Sequence, residues 1–289
     1  MPTQRTRQVM EEDGHDHDAG LSLDLPTMIT RRRALGLAAL GGLTTILAAC
    51  GSGDGGAAGA TTSGASGAST ATATTTSSGD ASVAEVPEET AGPYPADGSN
   101  GVNVLTESGI VRSDITRSFR TGSAVAAGVP LTIAMTVLDV QAGGTPVKGA
   151  AVYAWHCDQE GRYSLYDSAL TNENYLRGVQ ATDASGKVTF TSIFPACYSG
   201  RWPHIHFEVY PSLAEAQAAG SKLVTSQIAL PQDACAAVYA TSGYAQSVSN
   251  LSQVSLATDM VFADGYSTQL GTVTGSAGSG MTVSLNIGT

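Results

Sequence analysis

The chain has 289 residues, enough for one large domain or two small ones, and a formal charge of −11 from 14 basic and 25 acidic residues. Lysine and arginine form no cluster in the part of the sequence that is expected to fold. This distribution argues against nucleic-acid binding, which needs a basic surface, and we expect no nucleic-acid partner.

Residues 1–49 are typical of an export signal. A twin arginine in Thr30-Arg31-Arg32-Arg33 precedes an apolar run of about 16 residues, which is too short for an ordinary transmembrane helix. The following Leu47-Ala48-Ala49-Cys50-Gly51 resembles a bacterial lipoprotein box. The sequence predicts twin-arginine export and a location at the outer face of the cytoplasmic membrane, or release from it, with the membrane contacted only through a lipid on Cys50.

Residues 50–82 follow the predicted signal and differ from the rest of the chain in composition. After Cys50 they are almost entirely glycine, serine, alanine and threonine, with no aromatic side chain, so they cannot bury a core. We interpret them as a flexible tether. All ten tyrosines and both tryptophans come later, which predicts a folded domain over residues 83–289.

Within that domain, apolar and polar residues alternate as in β-strands, and turn signals separate the alternating segments. Two further stretches, Ser212–Ala219 and Gln232–Tyr239, have the pattern of short helices. The pattern predicts an all-β sandwich with short helices. The predicted strands are Leu131–Val140, Gly149–His156, Lys187–Ile193, Pro203–Tyr210, Leu223–Leu230 and Met281–Ile287.

Two histidines two residues apart mark the strand Pro203–Tyr210. Residues i and i+2 of a strand face the same side, so His204 and His206 present both imidazoles to one place. The preceding loop, with Gly200 allowing a tight turn, can fold Tyr198 back toward them. The pair alone is compatible with a metal site or with ordinary hydrogen-bonding histidines.

The residues around this pair carry a family resemblance. Gly-Arg-Tyr-Ser at 161–164, Pro-Ala-Cys-Tyr-Ser-Gly at 195–200 and Arg-Trp-Pro-His-Ile-His-Phe at 201–207 resemble the metal-site motifs of intradiol ring-cleavage dioxygenases. That family includes protocatechuate 3,4-dioxygenase and catechol 1,2-dioxygenase. The resemblance extends over roughly residues 86–263 and implies a mixed-topology β-sandwich with the metal at its edge.

The resemblance also implies a metal and its ligands. Fe(III) would be held by two tyrosinates and two imidazoles, here Tyr163, Tyr198, His204 and His206. Physical chemistry agrees, because a phenol with a pKa near ~10 is deprotonated at neutral pH only when a strongly charged, hard cation binds the anion. Two phenolates and one hydroxide would neutralise Fe(III), and zinc more often takes nitrogen and sulfur ligands.

The same resemblance implies that the substrates are a catechol and O2. The catechol ring would open between its two hydroxyl carbons to give a cis,cis-muconate-type product. Tyr198 would be displaced by the substrate and accept a proton from it. Arg201 would stabilise charge on the substrate ring, and Gln227 would lie beside the same pocket. For Arg201 a surface ion pair, and for Gln227 an ordinary hydrogen-bonding role at a strand edge, remain alternatives.

Three cysteines follow the predicted lipid attachment site: Cys157, Cys197 and Cys235. An exported protein meets an oxidising compartment, so we expect one disulfide and one free thiol, with the pairing left open.

The sequence leaves the choice of catechol and the oligomeric state open. Protocatechuate would need a cationic partner for its carboxylate, and Arg162 and Arg177 lie near the motifs. An alternative from another class is a surface-tethered β-sandwich that binds sugars or aromatics without catalysis. It would use Trp155, Trp202 and nearby tyrosines as a stacking platform.

Overall fold

A computed structural model describes residues 83–289. The predicted signal segment, the tether and the lipid on Cys50 lie outside this range. The described residues form nine strands and three short helices. In chain order these are β1 Pro130–Asp139, β2 Thr145–Pro146, β3 Ala151–Trp155, β4 Arg177–Ala181, β5 Lys187–Ile193, β6 His204–Tyr210, α1 Leu213–Gln217, β7 Val224–Ala229, α2 Gln232–Tyr239, α3 Ala245–Leu251, β8 Thr272–Ser276 and β9 Gly280–Gly288.

The strands form two sheets. One has the order β2-β1-β9-β8, with β5 also paired to β1, and the other has the order β4-β3-β6-β7. All pairs are antiparallel except β1 with β9, which is parallel. The predicted fold class, a mixed-topology β-sandwich with short helices, is confirmed.

Alternating side chains of both sheets fill the space between them. Ile133 and Phe190 come from the first sheet, and Ile205 and Phe207 from the second, and all four are fully buried. Burial of this apolar surface is the main force that holds the sheets together, at about 25 cal/mol per Å². Because β6 alternates strictly, its histidines point away from this core, to the outer face of the second sheet.

That outer face is covered by a segment that precedes the first strand, residues 86–119, which we call the covering segment. Strands β3, β6 and β7 are buried along their whole length, which a sheet with one face in water would not be. Tyr153 donates a hydrogen bond to the Pro95 carbonyl at 2.8 Å, and the Glu89 amide donates to the Thr225 carbonyl at 2.7 Å. The histidines are therefore enclosed between a sheet and a layer of irregular chain.

All six predicted strands and both predicted helices are present in the described residues, and the sequence patterns missed β2, β4, β8 and α3.

The predicted disulfide is wrong: Cys157, Cys197 and Cys235 are free and buried. Each thiol lies in the protein interior and behaves there as a small apolar side chain. Within residues 83–289, no helix has the length and apolar character needed to cross a bilayer.

Candidate metal centre

His204 and His206 meet on the outer face of β6. Their Nε2 atoms lie 3.0 Å apart, and the two rings are nearly perpendicular, with an angle of 81° between their planes. Both side chains are 2% exposed. The strand alternation thus brings two imidazole nitrogens to one buried point.

Hydrogen bonding fixes the tautomer of His204. Its Nδ1 lies 2.5 Å from the Trp202 carbonyl oxygen, which only accepts, so Nδ1 carries the proton and the Nε2 lone pair faces the cluster. Burial, and then the charge of Arg201, lower the pKa of His204 to about 3. Burial and the neighbouring His204 lower the pKa of His206 well below its ordinary value. Both rings are neutral at pH 7, which is the state that binds metals.

Tyr198 reaches this pair from the loop that precedes β6. Gly200 has a φ of 80°, a left-handed conformation that lets the loop turn sharply. The Asn250 side chain, on α3, donates to the Cys197 carbonyl at 2.9 Å and holds the loop from behind. The Tyr198 hydroxyl consequently lies 3.2 Å from His204 Nε2.

Tyr163 approaches from the turn that follows β3. Asp158 organises this turn by accepting from the backbone amides of Glu160 and Arg162. The Tyr163 ring centroid lies 6.2 Å from that of His206, and its hydroxyl is buried with no hydrogen-bond partner in the described chain. Burial and the adjacent Tyr198 raise the pKa of Tyr163 well above its ordinary value.

Gly161 brings the Tyr163 turn close to Tyr198. It has a φ of +86°, and a Cβ at this position would lie 3.1 Å from the Cβ of Tyr198. The absence of a side chain therefore lets the two tyrosine-bearing loops pack directly together.

The strand register places two further side chains beside His206. Trp155 on β3 and Gln227 on β7 are its cross-strand partners. Trp155 stacks on His206 with ring centroids 4.8 Å apart and planes within 6°. The sequence had placed Trp155 on a binding platform, and only the pairing of β3 with β6 assigns it to this site.

Arg201 and Gln227 belong to one buried network. Arg201 Nη2 donates to Gln227 Oε1 at 2.7 Å, and Gln227 Nε2 donates to the Thr90 carbonyl of the covering segment at 3.1 Å. Arg201 Nε donates to Asp259 Oδ2 at 2.9 Å, and both of these side chains are fully buried. Sequence reasoning missed Asp259, which follows no motif and lies 58 positions from its partner.

The four converging side chains can hold a metal ion. Imidazole nitrogens bind metals such as zinc at about 2.1 Å, so two ligands at adjacent coordination positions lie roughly 3 Å apart, as the two Nε2 atoms do here. Within residues 83–289, no three His, Cys, Asp or Glu side chains form a metal-binding group. A metal at this point would therefore depend on Tyr163 and Tyr198, whose phenolates suit a hard cation.

Two other aromatic or titratable residues near the motifs lie outside this cluster. His156 is held by the Cys157 carbonyl at 2.8 Å and by Ser192 Oγ at 2.7 Å. Trp202 donates to the Leu230 carbonyl and packs beside Phe262. Since Trp155 and Trp202 are 0% and 3% exposed, the proposed surface stacking platform is wrong.

Comparisons with known proteins agree with this geometry. A family model described as dioxygenase matches residues 105–204, a range that includes Tyr163, Tyr198 and His204. An intradiol ring-cleavage dioxygenase from Tetranychus urticae superimposes with a TM-score of 0.51 at 26% identity, covering 63% of this chain and 87% of that one. Over part of its length, the chain is similar to intradiol ring-cleavage dioxygenases.

Two curated dioxygenases are similar to parts of this chain. The protocatechuate 3,4-dioxygenase beta chain of Burkholderia cepacia is 35% identical over 127 residues, which is 39% of this chain and 51% of that protein. Catechol 1,2-dioxygenase 2 of Acinetobacter lwoffii is 32% identical over 108 residues, which is 31% of this chain and 36% of that protein. The chain thus spans about half or less of the length of these curated relatives.

Proposed function

We propose that this protein is a non-haem Fe(III) dioxygenase that opens a catechol ring between its two hydroxyl carbons, with O2 as the second substrate. The observation that carries the proposal is the convergence of Tyr163, Tyr198, His204 and His206 on one buried point. Tyr163 and Tyr198 would bind as phenolates, and His204 and His206 as neutral imidazoles through Nε2. Bound Fe(III) would supply Lewis-acid activation of a chelated catecholate toward O2.

The two tyrosines have different surroundings, which suits different roles. Tyr163 is 4% exposed, whereas Tyr198 is only partly buried and sits on a loop beside a glycine turn. We assign Tyr198 as the side chain that gives way to the substrate and takes up a proton from its hydroxyl at the phenolate oxygen. Tyr163 would stay in place and fix the orientation of the site.

Arg201 provides a fixed positive charge beside the cluster. After burial, its guanidinium is the largest cause that lowers the pKa of His204, and it also lowers the pKa of His206 after burial and His204, so its field reaches both imidazoles. A buried, immobile cation stabilises negative charge that develops on a bound ring better than a solvated one does. Gln227 would keep the guanidinium in place by accepting its Nη2–H.

The surroundings of the site favour a catechol without an acidic substituent. Arg177 donates to the Tyr94 and Pro95 carbonyls and to both oxygens of Ser164. Arg162 is paired with Asp158 at 3.0 Å. Since Arg162 and Arg177 are engaged within the protein, neither of these two is available to pair with a substrate carboxylate, which is costly to bury alone.

We propose further that the protein is exported and anchored through a lipid on Cys50, as its leader sequence suggests. Expression in a bacterial host with a labelled fatty acid tests this. The anchor is supported if the wild-type protein carries the labelled fatty acid and associates with the membrane, and Cys50→Ser loses both. An unlabelled wild-type protein in the soluble fraction contradicts it.

Turnover with catechol tests the proposed activity. The iron-loaded protein should consume one O2 for each ring opened and release a cis,cis-muconate-type product, without an external reductant. Tyr163→Phe should lose this activity, whereas Tyr239→Phe, a buried tyrosine that hydrogen-bonds the Pro195 carbonyl, should keep it. Cleavage of any ring bond other than the one between the two hydroxyl carbons would contradict the proposal. So would an iron-loaded protein that takes up no O2 in the presence of catechol.

A further inference from the structure

Asp259 receives an unusual number of hydrogen bonds for one buried carboxylate. Its Oδ2 accepts from Arg201 Nε at 2.9 Å and from the Trp202 amide at 2.7 Å. Its Oδ1 accepts from the amides of Val261 at 2.9 Å and Phe262 at 3.2 Å. The carboxylate is thus fixed by its own turn and by the backbone next to Arg201, in a region without solvent.

This arrangement restricts what Arg201 can do. A buried guanidinium needs a compensating charge, and a partner that is itself rigid fixes the position of that charge. The Nε–Nη2 side of Arg201 faces Asp259, and Nη2 also reaches Gln227. Burial alone raises the pKa of Asp259, but Arg201 and the Trp202 amide outweigh burial and lower it, so the carboxylate is ionised at pH 7.

We propose that Asp259 is a positioning residue of the dioxygenase reaction, holding the Arg201 guanidinium against the Tyr163, Tyr198, His204 and His206 cluster. This inference rests on the proposed function. It adds that the turn around Asp259, which supplies none of the four cluster residues, sets the direction in which the positive charge of Arg201 acts.

The variant Asp259→Asn tests the inference, because an amide accepts on one side only. Either Arg201 and Trp202 or the amides of Val261 and Phe262 would then face an NH2 group. For the iron-loaded full chain, with turnover expressed per bound iron, we expect kcat for catechol to fall about 10-fold. KM should change less than about 3-fold, as for an interaction that acts mainly in the transition state.

A double-mutant cycle separates positioning from a general structural defect. Arg201→Met should lower kcat by about 100-fold, and adding Asp259→Asn to it should change kcat by less than about twofold, since the group positioned by Asp259 is gone. The double variant also removes both buried charges, which favours its folding. Asp97→Asn is the matched control: it breaks an ion pair between the buried Asp97 and the partly exposed Lys222, and its kcat should remain within about twofold of wild type.

The outcomes distinguish this inference from the proposed function. A 10-fold effect of Asp259→Asn that disappears in the Arg201→Met background supports the positioning role. If the wild type is active, two results overturn the inference alone. One is that Asp259→Asn lowers kcat equally in the wild-type and Arg201→Met backgrounds, and the other is that Asp259→Asn does not lower kcat at all. If the iron-loaded wild type does not cleave catechol, the proposed function fails and this inference fails with it.

Discussion

Trp155 and His206 form a parallel stack, with ring centroids 4.8 Å apart and planes within 6° of each other. The Nδ1 atom of His206 is buried and has no hydrogen-bond partner among the described residues. A metal-binding histidine usually has its second nitrogen fixed by a hydrogen bond, as His204 does through the Trp202 carbonyl. For His206, we propose that the aromatic contact takes over this orienting role.

Replacing Trp155 should therefore weaken metal binding. We expect Trp155→Leu to lower iron affinity roughly 10-fold, as loss of a group that orients a ligand does, while Trp155→Phe keeps a flat ring and most of the affinity. The measurement is an iron titration followed by visible absorption. Phe190→Leu, in the core between the sheets, is the control. It should lower the free energy of unfolding by about 2 kcal/mol and leave the iron affinity unchanged. Equal affinities for wild type and Trp155→Leu would contradict the orienting role.

A pair of glycines tests the contact between the tyrosine loops. Gly161 and Gly149 have φ values of +86° and +84°, but a Cβ meets Tyr198 at 3.1 Å only at Gly161, and nothing within 4 Å at Gly149. Alanine at either position should cost about 1 kcal/mol of stability, because the left-handed conformation is strained. Only Gly161→Ala should also lower kcat for catechol. Equal losses of kcat in both variants would rule out a specific role for the contact.

His156 should make the stability of the metal-free protein depend on pH. Burial lowers its pKa from 6.5 to about 4, because the interior disfavours the charged ring. Between these values the unfolded chain binds a proton that the folded protein excludes, so stability is complete above the unfolded pKa and falls as pH drops toward 4. The contribution is roughly 3 kcal/mol.

Denaturant unfolding at a series of pH values measures this effect. His156→Gln, which cannot titrate, should show a shallower decline in the free energy of unfolding between pH 6.5 and pH 4. His204 and His206 remain in that variant and keep part of the dependence. The same slope in wild type and His156→Gln would contradict the assignment.

The engaged arginines predict the choice of substrate. Because Arg177 and Arg162 are hydrogen-bonded within the protein, kcat/KM for catechol should exceed that for protocatechuate by about 100-fold. Parallel steady-state assays of both compounds measure this ratio. An equal or higher kcat/KM for protocatechuate would show that a cation reaches the substrate carboxylate.

The sequence predicted the site strand well because its signal is local. Alternation from Pro203 to Tyr210 defines β6 and puts His204 and His206 on one face, and the structure places the strand at His204–Tyr210. By contrast, β4 begins with a buried Arg177 followed by Gly178. A Cβ on Gly178 would lie 2.5 Å from Ile115, so glycine is needed where the covering segment packs against the strand. No local pattern reports this requirement.

The contacts that orient the site depend on chain segments far apart in sequence. Trp155 meets His206 through the pairing of β3 with β6, and Asp259 reaches Arg201 across 58 positions. Residue type and spacing can indicate candidate ligands such as Tyr163 and Tyr198. They do not indicate which buried side chains fix those ligands, because that depends on the packing of the whole fold.

The visible absorption spectrum of the iron-loaded protein, recorded before and after addition of catechol without O2, tests the central claim most directly. Phenolate bound to Fe(III) gives a charge-transfer band, so the protein should be red-brown, and the band should shift when catechol binds. Tyr163→Phe and Tyr198→Phe should each weaken it, whereas Tyr239→Phe should not. A protein that stays colourless after loading with Fe(III) would contradict a Tyr163, Tyr198, His204 and His206 iron centre.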